Sequence, residues 1–229
     1  MRKLIVLIMA VLIIKNGLAQ LPSSSVWLTV QLPISFSPKW QMYNDATYRT
    51  LGITSTAYQR FYRTGIRYQF SEKWSALSGI SFFSTRAKVD RHDTEFGKEF
   101  RIWQELSYVQ KFQKNFSAQY RLRTEERFLE ATTLKPSYHI LNINNRISFL
   151  KPISEKWNIQ VADEYYEQVV ERKFRFNQNR LSATGIYNVS KTMLFQGTYM
   201  WLLRKASSQH VMQFTVRKTI ILYGRHEHS

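Results

Sequence analysis

The chain of 229 residues has no cysteine, so no disulfide can staple it and its stability must come from packing or from lipid. Beyond the first nineteen residues no stretch approaches the ~18 consecutive apolar residues of a spanning helix. That excludes a helical membrane span there and leaves membrane-crossing strands open, because their hydropathy signal is much weaker. Acidic residues are scarce: 16 Asp and Glu face 33 Lys and Arg, for a formal net charge of +17. His139 and His210 have no Ser or Cys partner identifiable by spacing, so no nucleophile, base and orienting acid can be assigned. No catalytic residue, metal site or cofactor is therefore expected. The terminal His226-Glu227-His228 is a weak metal candidate at most.

The amino terminus reads as a secretory signal over residues 1–19. Arg2 and Lys3 form the basic region, Leu4 to Ile14 the apolar run, and Gly17-Leu18-Ala19 the cleavage site before Gln20. Residues 20–229 are then expected to form a single β-barrel domain, with no Cys after the signal to carry a lipid. Loss of Arg2, Lys3 and Lys15 brings the charge to about +14. Such a balance suits nucleic acid or anionic surfaces. Export and the even spacing of the arginines disfavour nucleic acid, leaving lipopolysaccharide, acidic ligands or a charge-lined lumen as partners.

Phe116 to Phe128 carries the strongest pattern. Ser117, Gln119, Arg121, Arg123, Glu125 and Arg127 alternate with Phe116, Ala118, Tyr120, Leu122, Thr124, Glu126 and Phe128. Period two is the period of a strand, with one polar face and one mostly apolar face. Comparable segments are Val26–Ile34, Trp40–Arg49, Gln59–Phe70, Trp74–Ser84, Phe100–Phe112, Tyr138–Phe149, Trp157–Val169, Phe176–Val189, Met193–Leu203 and Gln209–Leu222. These make eleven. Bacterial barrels close with an even number, so ten or twelve strands are expected, with the first and last segments the doubtful ones. Pro33 lacks a donor and marks the first as short or imperfectly paired. Lys218 interrupts the apolar set of the last and leaves its facing ambiguous.

A turn recurs between the segments. Ser37-Pro38-Lys39-Trp40, Ser71-Glu72-Lys73-Trp74 and Ser154-Glu155-Lys156-Trp157 share S-x-K-W, and Gln113-Lys114-Asn115-Phe116 and Ser190-Lys191-Thr192-Met193 occupy equivalent places. The spacings of 34, 42, 41 and 36 residues are those of a repeated hairpin. Longer polar connections are expected near residues 50–57, 85–99, 129–137, 170–175 and 204–208. Short turns alternating with longer loops is the asymmetry of an outer-membrane barrel, and Trp40, Trp74, Phe116 and Trp157 would form one interfacial aromatic belt. The expected fold is an all-β, antiparallel up-and-down transmembrane β-barrel of 10–12 strands, with short periplasmic turns and longer extracellular loops. Asn44, Asn145, Asp163 and Glu126 fall on its lipid face and suit only a membrane edge.

The polar faces collect Arg63, Arg67, Arg101, Glu105, Arg121, Arg123, Glu125, Arg127, Arg146, Glu164 and Arg180. Inside a barrel these would either attract anions or fill the lumen with Arg–carboxylate pairs. Centring the short turns sets a register in which Arg146 opposes Glu164 and Glu105 opposes Arg123, and both pairs are expected to form salt bridges. The same construction places Gly65 opposite Gly79 and Gly185 opposite Gly197, where sharp bends or close approaches are expected.

The run Arg121-Leu122-Arg123-Thr124-Glu125-Glu126-Arg127-Phe128 resembles the R-x-R-x-E-x-R-F strand of the domain-of-unknown-function family numbered 2490. The strand of Trp27 before a Lys-Trp turn, and Arg101-Ile102-Trp103-Gln104-Glu105-Leu106, look similar to it too. The resemblance implies a Gram-negative outer-membrane-type barrel and carries over no catalytic residue. The chain departs from a typical outer-membrane ending, because Tyr223 is followed by six further residues without a terminal aromatic. The expectation is a non-enzymatic barrel in the outer membrane, a structural element or narrow anion-favouring conduit, among outer-membrane lipid and the outer-membrane insertion machinery. The alternatives are a barrel-embedded enzyme acting on envelope lipids and a soluble periplasmic ligand-binding barrel.

Overall fold

Alternation with period two makes strands, and the computed structural model contains strands and no helix among the described residues, which are 24–53, 56–87, 92, 94–112, 116–170 and 172–223. The signal segment, the centre of the turn at 113–115 and the terminal His226-Glu227-His228 lie outside them. Thirteen strand segments follow in order: β1 (Ser24–Gln31), β2 (Ile34–Ser35), β3 (Trp40–Thr50), β4 (Ala57–Gln69), β5 (Trp74–Arg86), β6 (Phe96–Lys111), β7 (Ser117–Leu129), β8 (Tyr138–Pro152), β9 (Trp157–Val170), β10 (Lys173–Ser190), β11 (Met193–Arg204), β12 (Ser207–Lys218) and β13 (Ile220–Ile221).

β1 and β2 are one strand interrupted at Leu32-Pro33, and β12 and β13 are one strand interrupted at Thr219, so the wall is a closed barrel of eleven strands. The expectation of ten or twelve is corrected: the first and last segments are both strands, and they pair with each other. Eleven strands running alternately up and down leave the first and last parallel. The seam is accordingly a parallel ladder, β1 with β12 and β2 with β13, and every other neighbouring pair is antiparallel. Pro33 costs the ladder one donor but still accepts, taking the Ile220 N–H at 2.8 Å.

The S-x-K-W repeat is a structural repeat. In each copy the serine hydroxyl accepts the backbone N–H of the tryptophan three residues on, at 3.0 Å for Ser37, 3.1 Å for Ser71 and 3.2 Å for Ser154. A main-chain bond back to the tryptophan carbonyl closes the turn. These turns gather at one end of the barrel. At the other end three connections are long, but two of the expected long loops are not. β9 and β10 are separated by two residues, and Lys205-Ala206 alone joins β11 to β12. Arg172, in the first of these tight turns, takes a left-handed φ of 60°.

The facing is inverted relative to a water-soluble barrel. Asp45, Ser81, Asn144 and Ser148 are among the most deeply buried side chains, while Leu28, Tyr62, Phe82, Tyr120, Ile147 and Phe214 are exposed on the outside. Inside, beside the seam, Trp27, Met200, Leu202 and Val211 pack as one small apolar cluster. Polar groups on the outer face are mostly paired: Asn44 accepts from Tyr62 Oη and Thr64 Oγ1, both at 2.9 Å, and Asn145 accepts from Tyr120 Oη at 2.6 Å. Glu126 lies 3.9 Å from His139, whereas Asp163 Oδ1 is buried without a partner among the described residues.

Both glycine pairs stand opposite one another, but only one is a close approach. A Cβ on Gly79 would fall 2.2 Å from the Thr64 carbonyl oxygen and 2.9 Å from Cζ2 of Trp103, which packs inward over the pair at 1% exposure. Gly185 and Gly197 meet nothing within 4 Å and face outward over open space. Gly79→Ala is therefore expected to destabilise the barrel by ~1–3 kcal/mol through overpacking, and Gly197→Ala to be nearly neutral. Urea unfolding of the purified barrel, followed by tryptophan fluorescence, checks this, and equal costs at the two sites would contradict the close approach.

Candidate functional site

Odd-numbered positions of β4, β6 and β7 and even-numbered positions of β8, β9 and β10 turn inward, and this brings all eleven sequence-predicted charges to the barrel interior. Nine of them, with Glu99, do more than share a space. Ion pairs run without a break from Arg127 through Glu99, Arg101, Glu125, Arg123, Glu105, Arg121 and Glu164 to Arg180, alternating in sign and crossing β6, β7, β9 and β10. Glu105 opposes Arg123 in register and accepts from its Nη2 at 2.7 Å and Nε at 3.1 Å. Glu125 accepts from Arg101 Nη1 at 2.7 Å. Arg67 branches onto Glu105 at 3.9 Å. Arg63 stands apart, paired with Asp45, which also accepts from Tyr43 Oη at 2.7 Å.

Arg146 departs from expectation. It opposes Glu164 across β9 as the register required, but it also opposes Arg121 across β7. Arg121 reaches past it to take Glu164, and Arg180 approaches the same carboxylate at 3.6 Å. Arg146 is left with the amide oxygen of Gln160 at 3.3 Å. Cross-strand position thus sets which groups are near; the length of the arginine side chain decides which of them bond.

Aromatic rings also hold arginines, some of them members of the ion-pair chain. The Arg49 guanidinium lies 3.7 Å from the Trp27 ring and 4.8 Å from Phe61, Arg101 lies 3.6 Å from Phe83, and Arg180 lies 4.3 Å from Tyr166. Stacking of this kind stabilises a partly desolvated guanidinium. Trp27, Arg49, Phe61, Arg63, Arg123, Tyr166 and Arg180 border both of two interior cavities, one of 570 Å³ toward the turn end and one of 280 Å³ toward the loop end. They form a waist between the two. Among the described residues, Arg49, Arg146 and Arg217 hydrogen-bond to neutral amides, of Gln59 at 2.7 Å, Gln160 at 3.3 Å and Gln31 at 2.7 Å. The interior therefore carries cation in excess of carboxylate, and its field favours anions.

Several members of this site escaped the sequence reading. Glu99 falls within the expected 85–99 connection, but β6 begins at Phe96 and not at Phe100, so Glu99 is a strand residue. Asp45 and Arg49 lie on the inward face of β3, a parity legible once Asn44 is placed outside. Arg217 was hidden by the ambiguity at Lys218, whose ammonium bonds Thr192 Oγ1 at 3.0 Å at the turn end. His139 and His210 face outward, stacked on Phe128 and Tyr199.

Trp40, Trp74, Phe116 and Trp157 lie on the outer wall at the turn end within a wider set of rings. Trp40 contacts Tyr68 at 4.5 Å, Trp74 contacts Tyr108 at 4.8 Å, Phe116 contacts Phe149 at 5.8 Å and Trp157 contacts Tyr187 at 4.9 Å between centroids. A second row toward the loop end links Phe82, Phe100, Phe128 and His139.

The two charges at the Arg146–Glu164 position should respond differently to mutation. Glu164→Ala strands Arg180, leaves Arg121 only its 3.8 Å contact with Glu105, and is expected to cost ~3–5 kcal/mol if the network is dry, and far less if water fills the cavity. Arg146→Met removes a like-charge opposition to Arg121 and is expected to be neutral or stabilising. Urea midpoints of the two variants measure both, and a larger loss for Arg146→Met would refute this assignment of partners.

No curated protein shows detectable similarity to the chain. Residues 24–213 match the family described as protein of unknown function (DUF2490), a span that takes in the strands supplying the ion-pair chain, the waist and most of the outer aromatic rows. The chain belongs to that family.

Proposed function

We infer that the protein is a non-enzymatic β-barrel of the outer membrane of a Gram-negative cell, exported through a cleaved signal at residues 1–19. Its wall stands in outer-membrane lipid and lipopolysaccharide after delivery by the outer-membrane insertion machinery. It serves as a structural element with a narrow, anion-favouring interior. The observation that carries this reading is the inverted polarity: exposed Leu, Ile, Phe and Tyr outside, ion-paired arginines inside. A soluble barrel with this outer surface would aggregate, since large exposed apolar patches seek a partner or a bilayer. The two aromatic rows suit the membrane interfaces. Trp74 and Phe82 are eight residues apart on β5, which is ~27 Å along the strand and ~20 Å along the axis for a tilt of ~40°, close to the ~25 Å apolar band of such barrels. The short serine turns then face the periplasm and the three longer connections the outside.

Eleven strands enclose too little space for an open porin, which needs about sixteen. The conduit is instead two small chambers meeting at a waist of stacked arginines, so solutes are limited to small anions. On cell fractionation the chain should require detergent for release from the outer membrane. In planar bilayers under a KCl gradient it should give a small conductance with an anion-selective reversal potential, and Arg146→Gln with Arg217→Gln should reduce that selectivity. Recovery in the soluble periplasm without detergent would overturn the membrane reading. A membrane-integral protein that is silent or cation-selective would remove the conduit and leave the structural role.

A further inference from the structure

The outer wall carries a groove of 1110 Å³, which lies between two rows of outward side chains that follow the hydrogen-bonding direction obliquely around the barrel. One row begins at Gly185 and Gly197, passes Phe214 and Leu28, and ends at Arg60, Ser84 and Lys98. The other lies one step nearer the turn end and includes Phe195, Ala46, Tyr62, Phe82 and Phe100. The groove exists because side chains are missing or small along it: nothing lies within 4 Å of a Cβ placed on Gly185 or Gly197, and Ala46 is the smallest member of its row.

Its two ends differ in chemistry. Toward the turn end it is bounded by rings and glycines. At the loop end Arg60 and Lys98 flank Ser84 on three neighbouring strands, both exposed, and neither is ion-paired among the described residues. Neighbouring strands lie ~4.8 Å apart, so the two side chains can close on one group between them. Phe96 orders the arginines here: the guanidiniums of Arg60 and Arg86 lie 5.1 and 5.0 Å from its ring, and Arg86 Nε donates to the Ala57 carbonyl at 2.8 Å. Glu130 also borders this end, beside Lys98.

We propose that the groove is a docking site for lipopolysaccharide, with an acyl chain lying along it and a lipid A phosphate held by Arg60 and Lys98 across Ser84. The occupant follows from the polarity gradient. A cationic cleft at the loop end, opening into an apolar channel that runs toward the turn end, matches a phosphorylated headgroup with its chain pointing into the bilayer. The choice of lipopolysaccharide rests on the membrane reading above, in which the loop end lies in the outer leaflet.

The test uses the full-length barrel purified in detergent, with lipid A, dephosphorylated lipid A and phosphatidylglycerol as probes and native mass spectrometry as readout. Lipid A is expected to remain bound, and dephosphorylated lipid A and phosphatidylglycerol to bind roughly tenfold more weakly, the difference of one good charged contact. Arg60→Ala with Lys98→Ala should abolish the preference for lipid A. Gly197→Leu, which enters open space and spares the fold, should weaken all three lipids. Equal binding of lipid A and its dephosphorylated form would overturn the phosphate site, and this comparison needs no variant. Equal binding of phosphatidylglycerol would overturn the assignment to lipopolysaccharide. Far-UV circular dichroism and heat-modifiable electrophoresis report barrel integrity separately, so failure of the lipid site is distinguishable from failure of the membrane reading, which fractionation decides.

Discussion

Every other feature of the structure depends on closure of the main-chain hydrogen-bond ring. A sheet with free edges exposes unpaired N–H and C=O groups, which are sticky in water and far costlier in lipid. An odd number of alternating strands can close only by setting the first and last in parallel, and β1 with β12, continued by β2 with β13, does so. A parallel ladder is slightly weaker per residue. The seam has apolar support from Trp27, Met200, Leu202 and Val211 packed behind it.

Closure fixes register, and register decides what the interior contains. A one-residue slip would turn each inward arginine outward, so the buried charges and the strand pairing select one another. The interior has little apolar packing to spare. Its order comes from an alternating chain of ion pairs and from arginines laid on Trp27, Phe61, Phe83 and Tyr166. Each carboxylate in the chain contacts at least two arginines, which spreads the desolvation cost of a charge over several partners. The arginines left with amide partners are the surplus that sets the sign of the interior field.

Because the two faces alternate residue by residue, the same few strands build both the interior network and the outer groove. On β4, Tyr62 lies outside beside Arg63 inside; on β6, Phe100 lies outside beside Arg101 inside. Glycine serves opposite ends in the two settings. Gly65 and Gly79 bring two strands close enough for Trp103 to lie over them, whereas Gly185 and Gly197 leave a channel unfilled.

By itself the sequence determined the strands, their facing and most of their pairing. Period-two alternation is a local property, and the serine turns fix hairpin register within a few residues, so Arg146 opposite Glu164 and Gly65 opposite Gly79 were legible without coordinates. Membership of the interior was legible for the same reason at eleven charges; a strand boundary hid Glu99, a broken pattern hid Arg217, and Asp45 and Arg49 follow only once the parity of β3 is taken from Asn44. Tertiary structure decided the rest. The strand count and the parallel seam depend on contact between the two ends of the chain, which no local pattern encodes. Arg121, not Arg146, holds Glu164 because a long side chain can cross a neighbouring strand inside a curved wall. The waist and the oblique groove arise only when strands distant in sequence are wrapped into one ring, since each is assembled from residues that no single hairpin contains.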